Sequence, residues 1–192
     1  MAKVTFFYGT MKASKSAQLL MKDYNYKSSG VTPLLITPEK DSRSGYGTIT
    51  SRVGLTTEAH IVDNADMGYV HLSLVWNRLG QPSVIMIDEA QFIEPKSVEL
   101  IEQFARDKEI DLLVFGLLKD FKNKIFPASQ LWLELADKFV EVSTNCEFCL
   151  KKATRNLRMV NGQPVKKGDS VAVGHEDEYH SVCAEHYNEF TN

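Results

Sequence analysis

The chain has 192 residues, of which 43% are hydrophobic and 24% are charged, so it can bury a substantial core, either in one domain of ordinary size or in a larger domain with a small appendage. Its net charge of −3 argues against binding to nucleic acid or membrane surfaces through bulk charge. No apolar run approaches the roughly 20 residues that span a bilayer, and no secretory signal precedes the first predicted strand, so we expect a cytoplasmic protein.

The first predicted elements are a buried strand and a helix joined by a turn that begins with glycine. The apolar run 4–8 predicts the strand, and a helical pattern starts at Ala17. Between them, residues 9–16 read Gly-Thr-Met-Lys-Ala-Ser-Lys-Ser, close to the phosphate-binding pattern G-x-x-x-x-G-K-S. In such a loop, backbone N–H groups bind phosphate oxygens, Lys15 neutralises their charge and the Ser16 hydroxyl binds Mg²⁺.

One position of this loop departs from the pattern, because Ser14 stands where a glycine is expected. That position often needs a backbone conformation that is unfavourable for a residue with a Cβ atom. We therefore expect weakened ATP binding or a reshaped loop. The alternative interpretation is a strand-to-helix turn that happens to contain Lys-Ser.

Apolar strands and helical stretches alternate through the first three-quarters of the chain. Further strands are predicted at 31–37, 83–87, 111–115 and 139–142, and helices at 95–107 and 131–136. Strands interleaved with helices predict a mostly parallel sheet covered on both faces, an α/β fold like that of P-loop NTPases. Four aromatic residues are expected in its core: Phe6, Phe7, Phe104 and Trp132. The segment 41–55, rich in Ser, Gly and Thr, instead predicts a mobile loop or a small hairpin.

The third predicted strand runs directly into Asp88 and Glu89. Ligands of open α/β sheets bind at the carboxyl ends of the strands, so we expect Asp88 to lie near the Mg²⁺ ion that Ser16 would bind. Glu89 is a candidate general base for an attacking hydroxyl group. The alternative is a charged pair that only begins a surface loop.

All three cysteines of the chain belong to two short pairs near its end. Cys146 and Cys149 form a C-x₂-C pair, and Cys183 and His186 form a C-x₂-H pair, the spacing of a structural zinc site. His180 is an alternative fourth ligand with less regular spacing. Four protein ligands leave no coordination position for water, so a structural role is expected for the zinc.

After residue 144 the sequence changes to short, basic, turn-rich segments that are bracketed by cysteines. This change predicts an α/β ATP-binding domain at residues 1–144 and a small zinc-binding domain at residues 145–192. The insert between the two ligand pairs contains three glycines and a proline, so much of it is expected to be irregular backbone. A loop pinned at its base by a metal is suited to closing over a small ligand.

These residues in this order resemble the thymidine kinase family of the small cytosolic type, especially its bacterial and phage branch. The resemblance covers essentially the whole chain. The motifs that carry it are Gly9 to Ser16, Lys40-Asp41-Ser42-Arg43, Ser51-Arg52-Val53-Gly54, Asp88 to Phe92, Gly116-Leu117 with Asp120-Phe121, and the run from Tyr179 to His186 that ends in the C-x₂-H pair. In this family the zinc-containing insert forms a lasso.

The resemblance implies transfer of the γ-phosphoryl group of ATP to the 5′-hydroxyl of thymidine or deoxyuridine in pyrimidine salvage, with Glu89 as proton acceptor. It implies a nucleotide and Mg²⁺ site formed by Gly9, Thr10, Met11, Lys12, Ala13, Ser14, Lys15, Ser16, Asp41, Arg43, Asp88 and Gln91. It implies a nucleoside site formed by Met11, Phe92, Leu117, Phe121, Tyr179 and the backbone of Val171, Ala172, Val173 and Gly174. A homotetramer is also implied, with no nucleic-acid or membrane partner.

Three departures from the family pattern keep two alternative functions open. Besides Ser14, the pairs 118–119 and 122–123 differ from the polar and Arg-Gly pairs that are common there. One alternative is a catalytically weakened relative that binds nucleosides or nucleotides. The other is a P-loop ATPase that acts on DNA through a basic zinc module, although the acidic run 176–178 offsets the basic residues of the insert.

Overall fold

The computed structural model describes residues 2–39, 46–62, 69–168, 170 and 177–191. Its largest feature is a sheet of six strands: β1 (Val4–Gly9), β2 (Leu34–Pro38), β5 (His60–Val62), β6 (Val84–Ile87), β7 (Asp111–Leu117) and β8 (Lys138–Glu141). Their order is β5-β2-β6-β7-β1-β8, and each neighbouring pair is parallel. The predicted α/β class with a mostly parallel sheet is therefore confirmed.

The sheet is covered on both faces, which explains why its central strands are apolar runs rather than alternating patterns. On one face Phe7 packs with Leu19 and Leu20 of α1 (Lys15–Ser28). On the other face Phe6 belongs to the core formed with α2 (Tyr69–Arg78), α3 (Pro95–Asp107) and α4 (Pro127–Leu135). Phe104 and Trp132 lie fully buried in that second core, as the sequence predicts.

The helix predicted at 95–107 is confirmed, whereas the one predicted at 131–136 begins four residues earlier, at Pro127. Both α3 and α4 start with proline, whose fixed φ suits the first helical turn and whose missing N–H is not needed there. The strand predicted at 111–115 continues to Leu117 because its last residues pair with Tyr8 and Gly9. Within the described part of the chain, no helix combines the length and apolarity that crossing a membrane requires.

The part of segment 41–55 that the structure describes contributes to a hairpin. Strand β3 (Thr48–Thr50) pairs antiparallel with β4 (Thr56–Glu58). Ile49 is buried in the same core as α1, and this contact holds the hairpin against the main sheet. The hairpin tip at residues 51–55 thereby lies beside the loop that precedes α1.

The C-terminal region forms a second, separate sheet that we call the zinc lobe, comprising the described residues from 145 onward. Strands β9 (Arg155–Val160), β10 (Gln163–Pro164) and β11 (Asp177–Val182) form an antiparallel sheet in the order β10-β9-β11, followed by α5 (Ala184–Thr191). The described part of the insert combines these strands with irregular backbone at residues 150–154, 161–162 and 165–168. The chain pairs β9 with β11 over six residues despite the glycines between them.

Candidate active site and metal centre

The loop between β1 and α1 has the geometry of a phosphate-binding turn. A Cβ atom at Gly9 would overlap the carbonyl oxygen of Val142, so only glycine fits where β1 meets the segment after β8. The helix then begins at Lys15, with its N-terminus directed toward the loop. Orphan N–H groups at such a terminus, together with the helix dipole, favour an anionic ligand.

Ser14 adopts the left-handed conformation that the sequence pattern predicts for this position. Its φ and ψ are 59° and 28°, and no side-chain hydrogen bond caps the helix there. Lys12, two residues earlier, also has a φ of 59°. The left-handed region costs a residue with a Cβ atom about 1 kcal/mol. The glycine-like loop conformation is nevertheless formed with serine in place.

The ammonium group of Lys15 is buried and folds back over its own loop. Its Nζ donates a hydrogen bond of 2.7 Å to the carbonyl oxygen of Thr10. The Thr10 Oγ1 atom is buried with no hydrogen-bond partner among the described residues. Buried polar atoms of this kind are usually satisfied, so an orphan here indicates a group that a ligand or water completes.

Asp88 and Glu89 follow β6 and face the loop. Asp88 is only 3% exposed. Burial, and then the neighbouring Glu89 charge, raise the pKa of Asp88 to about 7, although the Ser16 side chain and the Lys15 charge act in the opposite direction. Glu89 itself has a φ of 46° and precedes a single 3₁₀ turn at Ala90–Phe92. This turn presents the Glu89 side chain beside Asp88.

Gln91 links Glu89 to the end of β7. Its Nε2 donates to Glu89 Oε2 at 2.5 Å, and its Oε1 accepts a hydrogen bond of 2.8 Å from the backbone N–H of Leu117. A Cβ atom at Gly116 would lie 3.0 Å from Gln91 Oε1, so glycine leaves room for this amide. Gln91 is 4% exposed and is not among the residues that line the cleft, and the nucleotide contact predicted for it stays a prediction.

These elements enclose a cleft of about 350 Å³ at the carboxyl edge of the sheet. Its lining comprises residues 11–17, residues 50–53, Asp88, Glu89 and Leu117. The structure thus lines one cleft with the loop, both acidic residues and Leu117, which the resemblance divides between a nucleotide site and a nucleoside site. It also adds Ser51, Arg52 and Val53 from the hairpin. These three residues belong to a motif that carries the resemblance, but no role is predicted for them from the sequence. An arginine beside a phosphate loop could have indicated one, because its guanidinium group binds phosphate.

The other described residues predicted to contact the nucleoside are not among those that line this cleft. Phe92 meets the ring of Phe126 edge to face, with the centroids 6.1 Å apart. Phe121 is buried, and the cations of Lys122 and Arg158 lie 5.5 and 5.3 Å from its ring centroid. Tyr179 lies on β11. The predicted contacts Asp41, Arg43, Val171, Ala172, Val173 and Gly174 fall outside the described residues.

The two ligand pairs of the zinc lobe converge on one point. The ligand atoms of Cys146, Cys149, Cys183 and His186 all lie within 4.8 Å of one another. The distances are 3.9 Å between the Cys149 and Cys183 sulfurs, and 3.4 and 3.3 Å from His186 Nδ1 to the sulfurs of Cys146 and Cys183. A tetrahedral zinc ion with ordinary bond lengths needs about 3.8 Å between sulfurs and about 3.6 Å between sulfur and nitrogen. The four residues therefore fit zinc.

The pKa values of the three thiols are shifted in different directions. Those of Cys146 and Cys183 are lowered, whereas the pKa of Cys149 is raised, because the backbone N–H of Lys151, which lowers it, is outweighed by burial and the neighbouring sulfurs. Burial opposes ionisation of the Cys146 thiol, but backbone N–H groups of Cys183, Phe148 and Cys149 outweigh it and lower its pKa to about 6. Thiolates are the form that binds zinc. His180, the alternative fourth ligand, is engaged elsewhere, with its Nδ1 3.0 Å from Glu147 Oε2. The structure groups His186 with the cysteines, as preferred from the spacing.

Comparison with known proteins gives a consistent set of relatives. A family model described as thymidine kinase matches residues 2–187. A thymidine kinase of Legionella pneumophila (strain Lens) is 40% identical over 188 residues, covering 97% of this chain and 90% of that protein. One of Lactococcus lactis subsp. lactis (strain IL1403) is 36% identical over 187 residues, 97% of each. The crystal structure of Pif1 helicase from Candida albicans matches 73% of this chain and 36% of that chain, at 14% identity and a TM-score of 0.44, too remote a likeness to carry an argument.

Proposed function

The chain belongs to the thymidine kinase family, and from this premise we propose that it transfers the γ-phosphoryl group of ATP to the 5′-hydroxyl of thymidine or deoxyuridine. One observation carries the proposal. The phosphate loop and the Asp88-Glu89 pair line the same cleft, so a triphosphate and a proton acceptor would meet there. Phosphoryl transfer needs little more from a protein than this positioning and charge neutralisation.

The nucleotide would bind through the loop and the start of α1. Loop N–H groups and the helix dipole favour the triphosphate, and Lys15 would exchange the Thr10 carbonyl oxygen for phosphate oxygens. The buried Asp88 carboxyl group and the adjacent Ser16 hydroxyl fit Mg²⁺, because a cation there would favour the ionised carboxylate that burial disfavours. Bound Mg²⁺ would supply neutralisation of charge on the β- and γ-phosphates.

Glu89 would accept the proton of the 5′-hydroxyl group as its oxygen attacks the γ-phosphorus atom. A bond forms between these two atoms, the bond from phosphorus to the β,γ-bridging oxygen breaks, and ADP leaves. The Gln91 amide, which donates to Glu89 Oε2, holds the carboxylate in place. We therefore propose a positioning role for Gln91, in place of the nucleotide contact expected from the resemblance.

The nucleoside would bind against Met11 and Leu117, which line the cleft next to Glu89. We propose that Phe92, Phe121 and Tyr179 complete this pocket and that residues 171–174 contact the edge of the base. Apolar walls suit a pyrimidine ring, and backbone amides and carbonyl groups suit its polar edge. The four ligands of the zinc lobe would leave zinc no open coordination position, so its role would be structural.

An assay of ATP consumption across a panel of nucleosides tests this function, with zinc content measured on the same preparation. Stimulation by thymidine or deoxyuridine, with formation of the 5′-monophosphate, is expected. Turnover that depends on a polynucleotide instead would favour the DNA-linked ATPase and reject the kinase. We also propose a cytoplasmic location, because the three free thiols gather at one candidate metal site instead of forming disulfides. We propose a homotetramer as well, and light scattering after size-exclusion chromatography would test it.

The catalytically weakened relative is a second candidate because of one observation, the left-handed Ser14. A residue with a Cβ atom is strained in this conformation, and a strained phosphate loop favours weakened nucleotide turnover. Thymidine binding without transfer of labelled phosphate would favour this second candidate.

A further inference from the structure

The phosphate loop is held from outside by two side chains of the zinc lobe. Asn156 on β9 and Ser181 on β11 are directly opposed across the antiparallel pair, so both side chains lie on the same face of the small sheet. They are 4% and 1% exposed. Buried polar side chains of this kind are retained where they satisfy a specific partner.

Both side chains bind the backbone of one loop residue, Met11. Asn156 Oδ1 accepts a hydrogen bond of 2.8 Å from the Met11 N–H, and the Ser181 hydroxyl donates to the Met11 carbonyl oxygen. Asn156 Nδ2 also donates at 2.9 Å to the carbonyl oxygen of Lys119, just beyond β7. The Met11 N–H is thus committed to the lobe and is not one of the donors available to phosphate.

Ser181 is also connected to the candidate metal ligands. Glu147, between the first two cysteines, accepts a hydrogen bond of 2.7 Å from the Ser181 N–H and forms an ion pair of 2.7 Å with Lys12. Cys183 comes two residues after Ser181 in the chain. The position of this clamp, defined as Asn156 and Ser181, therefore depends on the geometry of the four-ligand cluster.

We propose that Asn156 and Ser181 are positioning residues that fix the phosphate loop through Met11, so that nucleotide affinity depends on the zinc lobe. The next residue, Lys12, is held in the left-handed region, and Ser14 repeats that conformation. A loop with two such residues is stable only where its surroundings over-determine it, and the clamp supplies part of that constraint. The inference rests on the proposed function only in taking ATP as the nucleotide.

The test compares Asn156→Ala, Ser181→Ala and the double variant in the full-length, zinc-loaded protein. Calorimetry with Mg·ATP is expected to show a dissociation constant raised about tenfold for Asn156→Ala, because the partly buried Met11 N–H loses its acceptor. Ser181→Ala is expected to raise it less. The double variant should raise the dissociation constant by less than the product of the two single-variant factors, because both side chains hold the backbone of the same residue, Met11. Asn188→Ala, an exposed position on α5, is the matched control and should bind as wild type does.

Amide exchange provides the second readout and needs neither nucleotide nor turnover. Peptides covering residues 9–16 should exchange faster in Asn156→Ala, while those covering residues 145–152 stay protected and zinc content stays unchanged. Asn156→Asp keeps an acceptor for the Met11 N–H but loses the donor to the Lys119 carbonyl oxygen, so exchange should lie between that of wild type and that of Asn156→Ala. If Asn156→Ala fails to fold, Ser181→Ala carries the same test.

Two results would overturn the inference: unchanged exchange at 9–16 in the alanine variants, or faster exchange with a Mg·ATP dissociation constant within twofold of wild type. Failure of the proposed function is distinguishable, because it appears as absence of phosphoryl transfer in the wild-type protein. Loop exchange would still report on the clamp.

Discussion

Replacing Gln91 by leucine tests whether the base is held by a second side chain. The substitution removes the donor that lies 2.5 Å from Glu89 Oε2 and the acceptor that lies 2.8 Å from the Leu117 N–H. Leucine is close in size to glutamine, so the buried volume is nearly kept. The Glu89 carboxylate would then lose its fixed direction while its chemical identity is unchanged.

The two lost bonds affect different quantities. A hydrogen bond to a charged group contributes about 1.5–3 kcal/mol. If that bond orients Glu89 in the transition state, kcat falls by about 10- to 150-fold. Leaving the Leu117 N–H buried and unpaired lowers the free energy of unfolding by about 1–3 kcal/mol. Thymidine affinity should change little, because Gln91 does not line the cleft.

A coupled assay of ADP release gives kcat, calorimetry gives the thymidine dissociation constant, and thermal unfolding gives stability. Gln103→Leu, at an exposed position of α3, is the matched control and should leave kcat unchanged. Gln91→Glu should reduce kcat further, because it opposes a second carboxylate to Glu89 at the same short distance. A folded Gln91→Leu protein with kcat within twofold of wild type would refute the positioning role.

Three further predictions concern the loop and the metal. Ser14→Gly removes a left-handed residue with a Cβ atom, so thermal unfolding should show a gain of up to about 1 kcal/mol, with Mg·ATP binding unchanged or tighter; a large loss of affinity would show that the loop is adapted to serine. Gly9→Ala forces a Cβ atom into the Val142 carbonyl oxygen and should destabilise the protein by about 1–3 kcal/mol; a stability equal to wild type would contradict this packing. Removing zinc with a chelator should greatly accelerate amide exchange around Cys146, whereas unchanged exchange would show that the cluster needs no metal.

Features coded by neighbouring residues could be predicted from the sequence. The left-handed requirement at Ser14 follows from its place in the loop pattern, and the structure has it. The acidic pair at 88–89 could be located because an apolar strand leads straight into it, and parallel strands end at one edge of the sheet. The two metal-ligand pairs are equally local, since each spans only a few residues of sequence.

Features that depend on distant contacts could not be predicted in this way. Gln91 lies in a recognisable motif, but its role depends on the backbone of Leu117, 26 residues away on another strand. Asn156 accepts a hydrogen bond from Met11, which is 145 residues away in the sequence, and no sequence periodicity predicts such a bond. The glycines and proline of the insert predict irregular backbone but do not reveal that β9 and β11 pair across it, because pairing depends on register more than on composition.

The most direct measurement follows radiolabelled phosphate from γ-labelled ATP to thymidine in the zinc-loaded protein, with Glu89→Gln alongside wild type. Labelled thymidine 5′-monophosphate is expected from wild type, with kcat lower by about 10²–10⁴ in the variant and thymidine binding retained. No labelled monophosphate from folded, zinc-loaded wild type would contradict the proposed reaction. Equal turnover by the two proteins would remove Glu89 as the proton acceptor.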